Sequence, residues 1–243
     1  MKKEEEDNLI SIPSILMNVA FMKLNEELED LKNQQKKISE TMCRSMLLAL
    51  DAKDQYTYQH STRVAYYSLT LGRELSLDEA QLYQLEMAGL FHDLGKIGTP
   101  DSILNKPTRL NEEEFEIMKL HPVRSGEILE GFKDFKEVAK IVRHHHERFD
   151  GRGYPNGLKG EDIPIFSRIL LIADTFDAMT SSRAYRKGLS YSTAFAELEE
   201  FSGSQFDPGL VLLFIDGMKK EESNKEKTFH LRIIGKDIEK KAA

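Results

Sequence analysis

The stretch Phe91-His92-Asp93-Leu94-Gly95-Lys96 constrains this chain more than any other. It sets an imidazole beside a carboxylate, with an ammonium just beyond, directly behind an apolar helical run. An adjacent His and Asp can share one cation while the second carboxylate oxygen reaches another. Further ligands must then arrive from distant parts of the chain, so the fold has to gather them. Six of the seven histidines lie between residues 60 and 146. His60, His92, His121, His145 and His146 each fall at or near the end of a predicted helix, and a helical bundle can bring such ends together.

The helices are read from periodicity and punctuation. Before Leu50, apolar residues recur at Ile10, Met17, Leu24, Leu31 and Ile38, with Phe21, Leu28 and Met42 between them and interruptions at Ser14 and Gln35. A seven-residue repeat flanked by Glu, Lys, Asp and Asn predicts a long helix and a coiled-coil homodimer, a relay for an input signal. One amphipathic helix lying on its own domain is the alternative.

A helix then opens at His60 to Val64 and runs towards Leu75. Ser76 with Glu79 reads as a capping box for the helix that leads into His92-Asp93. Asn111 with Glu114 caps another helix, expected to halt near His121-Pro122. Further helices are expected over about 135–144, 165–179, 191–201 and 208–218, with a short extended piece near 228–234. No segment predicts paired strands. The expected fold is all-α: a helical bundle in 50–218, preceded by a helical coiled-coil segment in 1–49 and followed by a charged tail in 219–243.

Composition removes several function classes. A net charge of -7 argues against a DNA or RNA footprint, which needs clustered Lys and Arg. The lone Cys43 excludes an internal disulfide and fits a reducing compartment. No apolar run approaches the roughly 20 residues a membrane span needs, and the acidic Met1 to Glu6 does not fit a signal peptide. A cytoplasmic protein is expected.

Neutral imidazoles mixed with carboxylates suit divalent manganese, iron, nickel or zinc, whereas magnesium and calcium favour oxygen shells. Asp93 is the natural bridging group. Asp174, on the strongly apolar helix after Pro164, would be an expensive buried charge unless partnered. Asp177 on the same helix reads more simply as an ion-pair member. His144 falls one residue out of register and reads as a neighbour.

His92-Asp93 with Lys96 resembles the HD phosphohydrolase signature. The block from His145-His146-Glu147 through Gly151-Arg152-Gly153-Tyr154-Pro155 resembles the hallmark of the HD-GYP family of cyclic dinucleotide phosphodiesterases. The match covers about Leu50 to Ile215 and includes His60-Ser61, His121-Pro122, Ala173-Asp174 and Phe206-Asp207-Pro208. That resemblance implies that 50–218 is an HD-type helical bundle and catalytic domain with metal ligands at His60, His92, Asp93, His121, His145, His146 and Asp174, holding two divalent metal ions, iron or manganese. Tyr56 stands where some members carry a Glu for a third metal, which favours two.

The resemblance also implies that Lys96, Arg183 and Arg186 contact the substrate, cyclic di-GMP, whose phosphodiester is cleaved to pGpG or GMP by metal-activated water. Asp93 and Lys96 would be the catalytic pair. Gly151, Gly153, Tyr154 and Pro155 would form a loop near the active site that can also meet a GGDEF-domain protein, the glycines doing mainly structural work. Two other readings use the same residues: a phosphohydrolase acting on another nucleotide such as cyclic GMP-AMP, and a non-catalytic receptor or GGDEF-binding scaffold.

Overall fold

Helices with wide apolar faces, closed by polar caps and turns, account for nearly all of the architecture. The computed structural model describes residues 12–53, 57–182, 187–223, 229–231 and 236–238. In chain order these form α1 (Ile12–Lys53), α2 (Thr57–Glu74), α3 (Glu79–Phe91), a 3-10 turn (Leu94–Gly98), α4 (Asp101–Leu104), α5 (Glu112–Met118), α6 (His121–Glu130), α7 (Lys136–Arg143), α8 (Ile165–Thr180), α9 (Tyr191–Glu200) and α10 (Pro208–Ser223). The chain divides into two compact units, Met1–Ser45 and Met46–Ala243.

In the first unit, α1 carries the seven-residue repeat on an exposed surface. Met17, Phe21, Leu24, Leu28, Leu31, Ile38 and Met42 are 42% to 69% exposed, so this helix leaves its apolar seam uncovered within the chain. No helix among the described residues is long and apolar enough to cross a membrane.

In the second unit, α2 packs against α3, α8 and α10, while α6 packs against α7 and the 3-10 turn. The α2–α3 crossing is close because Gly89 faces Ala65: a Cβ at Gly89 would lie 2.6 Å from the Ala65 Cα. Phe176 of α8 is the hub of an aromatic cluster. It stacks on Phe195 at 5.5 Å and meets Tyr67 and Phe214 edge-on at 5.0 and 5.1 Å. These rings lie on α8, α9, α2 and α10, so one buried cluster fixes the helices that carry His60 and Asp174.

Several expected boundaries move for identifiable reasons. Asp78, not Ser76, caps α3: its side chain accepts from Gln81 N–H, and the Gln81 side chain accepts from Asp78 N–H. Ser76 instead has a positive φ of 54° and terminates the preceding turn. Asn111 and Glu114 do form the expected capping box on α5. Pro122 opens α6 rather than closing α5, since a first-turn residue needs no amide donor. The α10 helix extends to Ser223. The tail also holds a two-stranded antiparallel ribbon, Phe229–Leu231 (β1) with Lys236–Ile238 (β2), pairing His230 with Asp237. The extended piece expected there therefore has a partner strand.

Candidate metal centre

Helix ends deliver the site. His60 lies in the first turn of α2, His92 and Asp93 follow α3, His121 opens α6, His145 and His146 follow α7, and Asp174 lies within α8. Ligand-capable atoms of His60, His92 and Asp174 come within 4.8 Å of one another, as do those of His121, His145 and His146. His92, Asp93 and His145 form a third such group between them. The structure thus brings together all seven residues named from the sequence as metal ligands.

Asp93 straddles the two outer groups. Its Oδ2 is 3.3 Å from His92 Nε2 and 3.6 Å from His60 Nε2, while its Oδ1 is 3.3 Å from His121 Nε2. On the Asp174 side, Oδ1 lies 3.3 Å from His60 Nε2. The imidazoles form a continuous cluster, with His145 and His146 ring centres 4.1 Å apart.

Backbone carbonyls set the orientation of three rings. His92 Nδ1 meets Gly89 O at 2.9 Å, His121 Nδ1 meets Met118 O at 2.8 Å, and His145 Nδ1 meets Val142 O at 2.6 Å. A carbonyl can only accept, so each Nδ1 carries the proton and each Nε2 presents a lone pair. Among the described residues, the Nε2 atoms of His121 and His145 are buried with no hydrogen-bond partner. Leaving a buried polar atom unsatisfied costs about 1–3 kcal/mol. A divalent cation would satisfy these lone pairs, so the residues present fit a metal.

Electrostatics separates the two groups. Burial pushes His121 down to about 3 and His146 to about 4, and places His145 well below its ordinary range. These rings stay neutral, as metal ligands must. For His60, burial acts downward too, but hydrogen bonds to Asp174 and Asp177 outweigh it and raise the imidazole to about 10. Burial would push the Asp93 carboxyl up, yet the Lys96 ammonium and then His92 hold it well below the usual range. Asp174 is likewise lowered against its burial, chiefly by His60.

The helix does not continue past Phe91, and the 3-10 turn brings Lys96 Nζ to 2.6 Å from Asp93 Oδ2. Ser125 braces this corner by accepting from Gly95 N–H and donating to the His92 carbonyl, both at 2.7 Å.

The Gly151 to Leu158 loop packs directly beneath the histidine pair. Tyr154 N–H donates to His146 O at 3.1 Å, and its ring centre lies 4.9 Å from that of His146. A Cβ at Gly153 would fall 2.2 Å from Arg148 N, so only glycine lets the loop approach this closely. Gly151 adopts a φ of +81°, and the Tyr154–Pro155 peptide is cis. Buried Glu147 anchors the loop by accepting from Asn156 N–H at 2.7 Å and Leu158 N–H at 3.0 Å. His144 sits beside Glu147, with Nδ1 3.6 Å from Oε1, and is in none of the three groups.

Sequence reasoning overlooked Glu147, Arg63 and the contact that Asp177 makes with His60. Asp177 does pair with a cation, Arg63, but it also meets His60 Nδ1 at 2.8 Å. The i, i+3 spacing of Asp174 and Asp177 was the available signal, since it sets both carboxylates on one face of α8. Arg183, Arg186 and Tyr56 lie outside the described residues.

Fold and site together define an all-helical domain with paired histidine–carboxylate clusters that could hold divalent metals. The chain belongs to the HD domain family, whose model matches residues 43–210. It is 39% identical over 173 residues to a protein of Pseudomonas aeruginosa named as a cyclic di-GMP phosphodiesterase, covering 70% of this chain and 41% of that one. It is also 39% identical over 159 residues to a 3'3'-cGAMP-specific phosphodiesterase of Vibrio cholerae, covering 65% of this chain and 35% of the relative. The crystal structure of a cyclic GMP-AMP specific phosphodiesterase from V. cholerae aligns with a TM-score of 0.59 at 24% identity, covering 76% of this chain and 49% of that one. The chain spans less than half the length of these relatives.

Proposed function

We propose that this chain is a metal-dependent phosphodiesterase that hydrolyses cyclic di-GMP to pGpG or GMP. The observation that carries this is Asp93, whose two oxygens face different histidine groups and so fit a shared ligand of two cations. The ligands would be His60, His92 and Asp174 on one side and His121, His145 and His146 on the other, with Asp93 between. Iron or manganese suits this mixed set. When bound, the two ions would supply Lewis-acid charge for a phosphodiester and lower the pKa of water.

The chain's own groups would do the rest. Lys96 lies beside Asp93 and can turn its ammonium to a substrate phosphate, where positive charge offsets the charge that develops during cleavage. Arg183 and Arg186 are proposed to grip the dinucleotide. Tyr154 and Pro155 would hold His146 in place, with Gly151 and Gly153 permitting the approach. The outer surface of that loop is the proposed contact for a GGDEF-domain protein. A cyclic dinucleotide messenger and a lone cysteine together favour the cytoplasm.

Homodimerisation through α1 is the second part of the reading. Phe21, Leu28, Gln35 and Met42 form one seam and Met17, Leu24, Leu31 and Ile38 the other. A parallel, in-register pair sets Glu27 of one copy against Lys32 of the second copy, in exchange for the exposed Lys32–Glu29 contact within the helix. Leu24→Glu with Leu31→Glu should convert a dimer to a monomer in sedimentation; a wild-type monomer at all concentrations overturns this part.

The test of activity is anaerobic loading with ferrous iron or manganese, followed by incubation with cyclic di-GMP or cyclic GMP-AMP and identification of products by mass spectrometry. Linear products from cyclic di-GMP are expected. Tight binding with no product under either metal would establish a receptor, and cleavage of cyclic GMP-AMP alone would reassign the substrate, as the V. cholerae relative's name makes reasonable.

A further inference from the structure

His60 differs from its neighbours in what holds its outer nitrogen. His92, His121 and His145 each rest on the carbonyl of the residue three positions earlier. His60 rests on a carboxylate from another helix, Asp177 Oδ2 at 2.8 Å. Asp177 is fully buried and immobilised. Arg63 donates to it through Nε at 2.5 Å and Nη2 at 3.0 Å, and Ser181 Oγ donates at 3.0 Å.

We propose that Asp177 is a positioning residue that orients His60 and makes the His60–His92–Asp174 position the tighter of two unequal metal positions, so that the centre loads in order. This rests on the reading that the two histidine groups hold divalent cations. A carboxylate behind a ligand imidazole fixes its tautomer and raises its basicity, and loss of such a partner costs 10- to 100-fold in metal affinity. The same position also has more anionic oxygen: Asp174, and the Asp93 Oδ2 that faces His60 and His92. The opposite position has three imidazoles and the single Asp93 Oδ1.

Two cations act against this. Lys96 lies on Asp93 Oδ2, and Arg63 neutralises Asp177. Lys96 is partly exposed and can swing away. Arg63 stays, which leaves Asp177 acting through its hydrogen bond rather than through net charge and keeps its effect within that 10- to 100-fold range.

The experiment titrates metal-free wild type and Asp177→Asn with cobalt(II) alone, anaerobically, reading stoichiometry by calorimetry and coordination by visible absorption. Asn keeps the volume but has one acceptor oxygen, whereas Asp177 uses two to hold His60, Arg63 and Ser181 together. Wild type should bind two equivalents in separable steps. Asp177→Asn should weaken the tighter step 10- to 100-fold and leave the weaker one as in wild type, with Asp177→Glu recovering part of the loss. His146→Ala should remove only the weaker step. If the Asn variant does not fold, Asp177→Glu, which keeps the charge but displaces the oxygen that meets His60 Nδ1, should weaken the same step by less. Two equivalents with an unchanged tight step in these variants, or equal weakening of both steps, overturns this inference alone. Fewer than two equivalents in wild type overturns the two-metal reading and this inference with it.

Discussion

Lys96 Nζ lies 2.6 Å from Asp93 Oδ2 across a 3-10 turn, joining a partly exposed ammonium to a carboxylate that is almost wholly buried. In the metal-free protein this contact, with the surrounding imidazoles, compensates the buried charge. Lys96→Met should therefore destabilise the metal-free protein by about 1–3 kcal/mol, the cost of leaving a buried polar group short of a partner. The lysine's exposure argues for the lower end. Bound metal would replace the lysine as counter-charge, so the loss should shrink in saturating manganese. Urea denaturation with and without the metal checks this, and activity should fall about 100-fold, as for removal of one charge-stabilising donor.

Asp93→Ala should do something different. Both histidine groups lose their shared carboxylate, so metal content should fall at both positions rather than at one. Product formation should disappear. Elemental analysis after gel filtration, beside a product assay, separates this from a variant that binds metal normally and merely turns over slowly.

The helical class and the grouping of the candidate metal residues were legible because both leave local marks. Apolar spacing marks the helices, and His92-Asp93, His121-Pro122 and His145-His146 each sit beside a helix boundary. What supports those residues was less visible. Arg63 and Asp177 are 114 positions apart, and nothing near either residue announces the other. Glu147 read as one more charged residue in a motif, yet it is buried because two amides of a loop that folds back beneath it need an acceptor. The Ser76 cap failed because two local solutions competed, and Asp78 closes a full reciprocal box. The tail ribbon was missed because register between such short strands is set by pairing rather than by periodicity.

Glu147 leads to a prediction on stability. Glu147→Ala removes the acceptor for the Asn156 and Leu158 amides, and a loss of about 1–3 kcal/mol is expected in urea denaturation. Gly153→Ala should be at least as damaging, because its Cβ would meet backbone atoms of Arg148, Glu147 and His146, which cannot yield as a side-chain tip can. Since Tyr154 lies against His146, both variants should also weaken metal binding on the His121–His145–His146 side. A folded variant with wild-type metal affinity would show that the loop does not support the ligands.

Stability of the metal-free protein should depend on pH in opposite senses on the two sides of about 6.5, the ordinary imidazole value. His121 and His146 are lowered to about 3 and about 4, and His145 is also lowered, so the unfolded chain takes up protons there that the folded chain refuses. Stability should then fall as pH drops from about 6.5 towards 4, by about 1 kcal/mol per pH unit for each group. His60 is raised to about 10 in the folded protein. Its contribution is complete below about 6.5 and is lost as pH rises towards 10, at a similar slope for one group. Three groups act on the acid side and one on the alkaline side, so the acid limb should be steeper. Urea midpoints measured in chelator across this range test the asymmetry. Added manganese should flatten the alkaline limb, because metal on His60 requires the neutral ring that high pH already supplies.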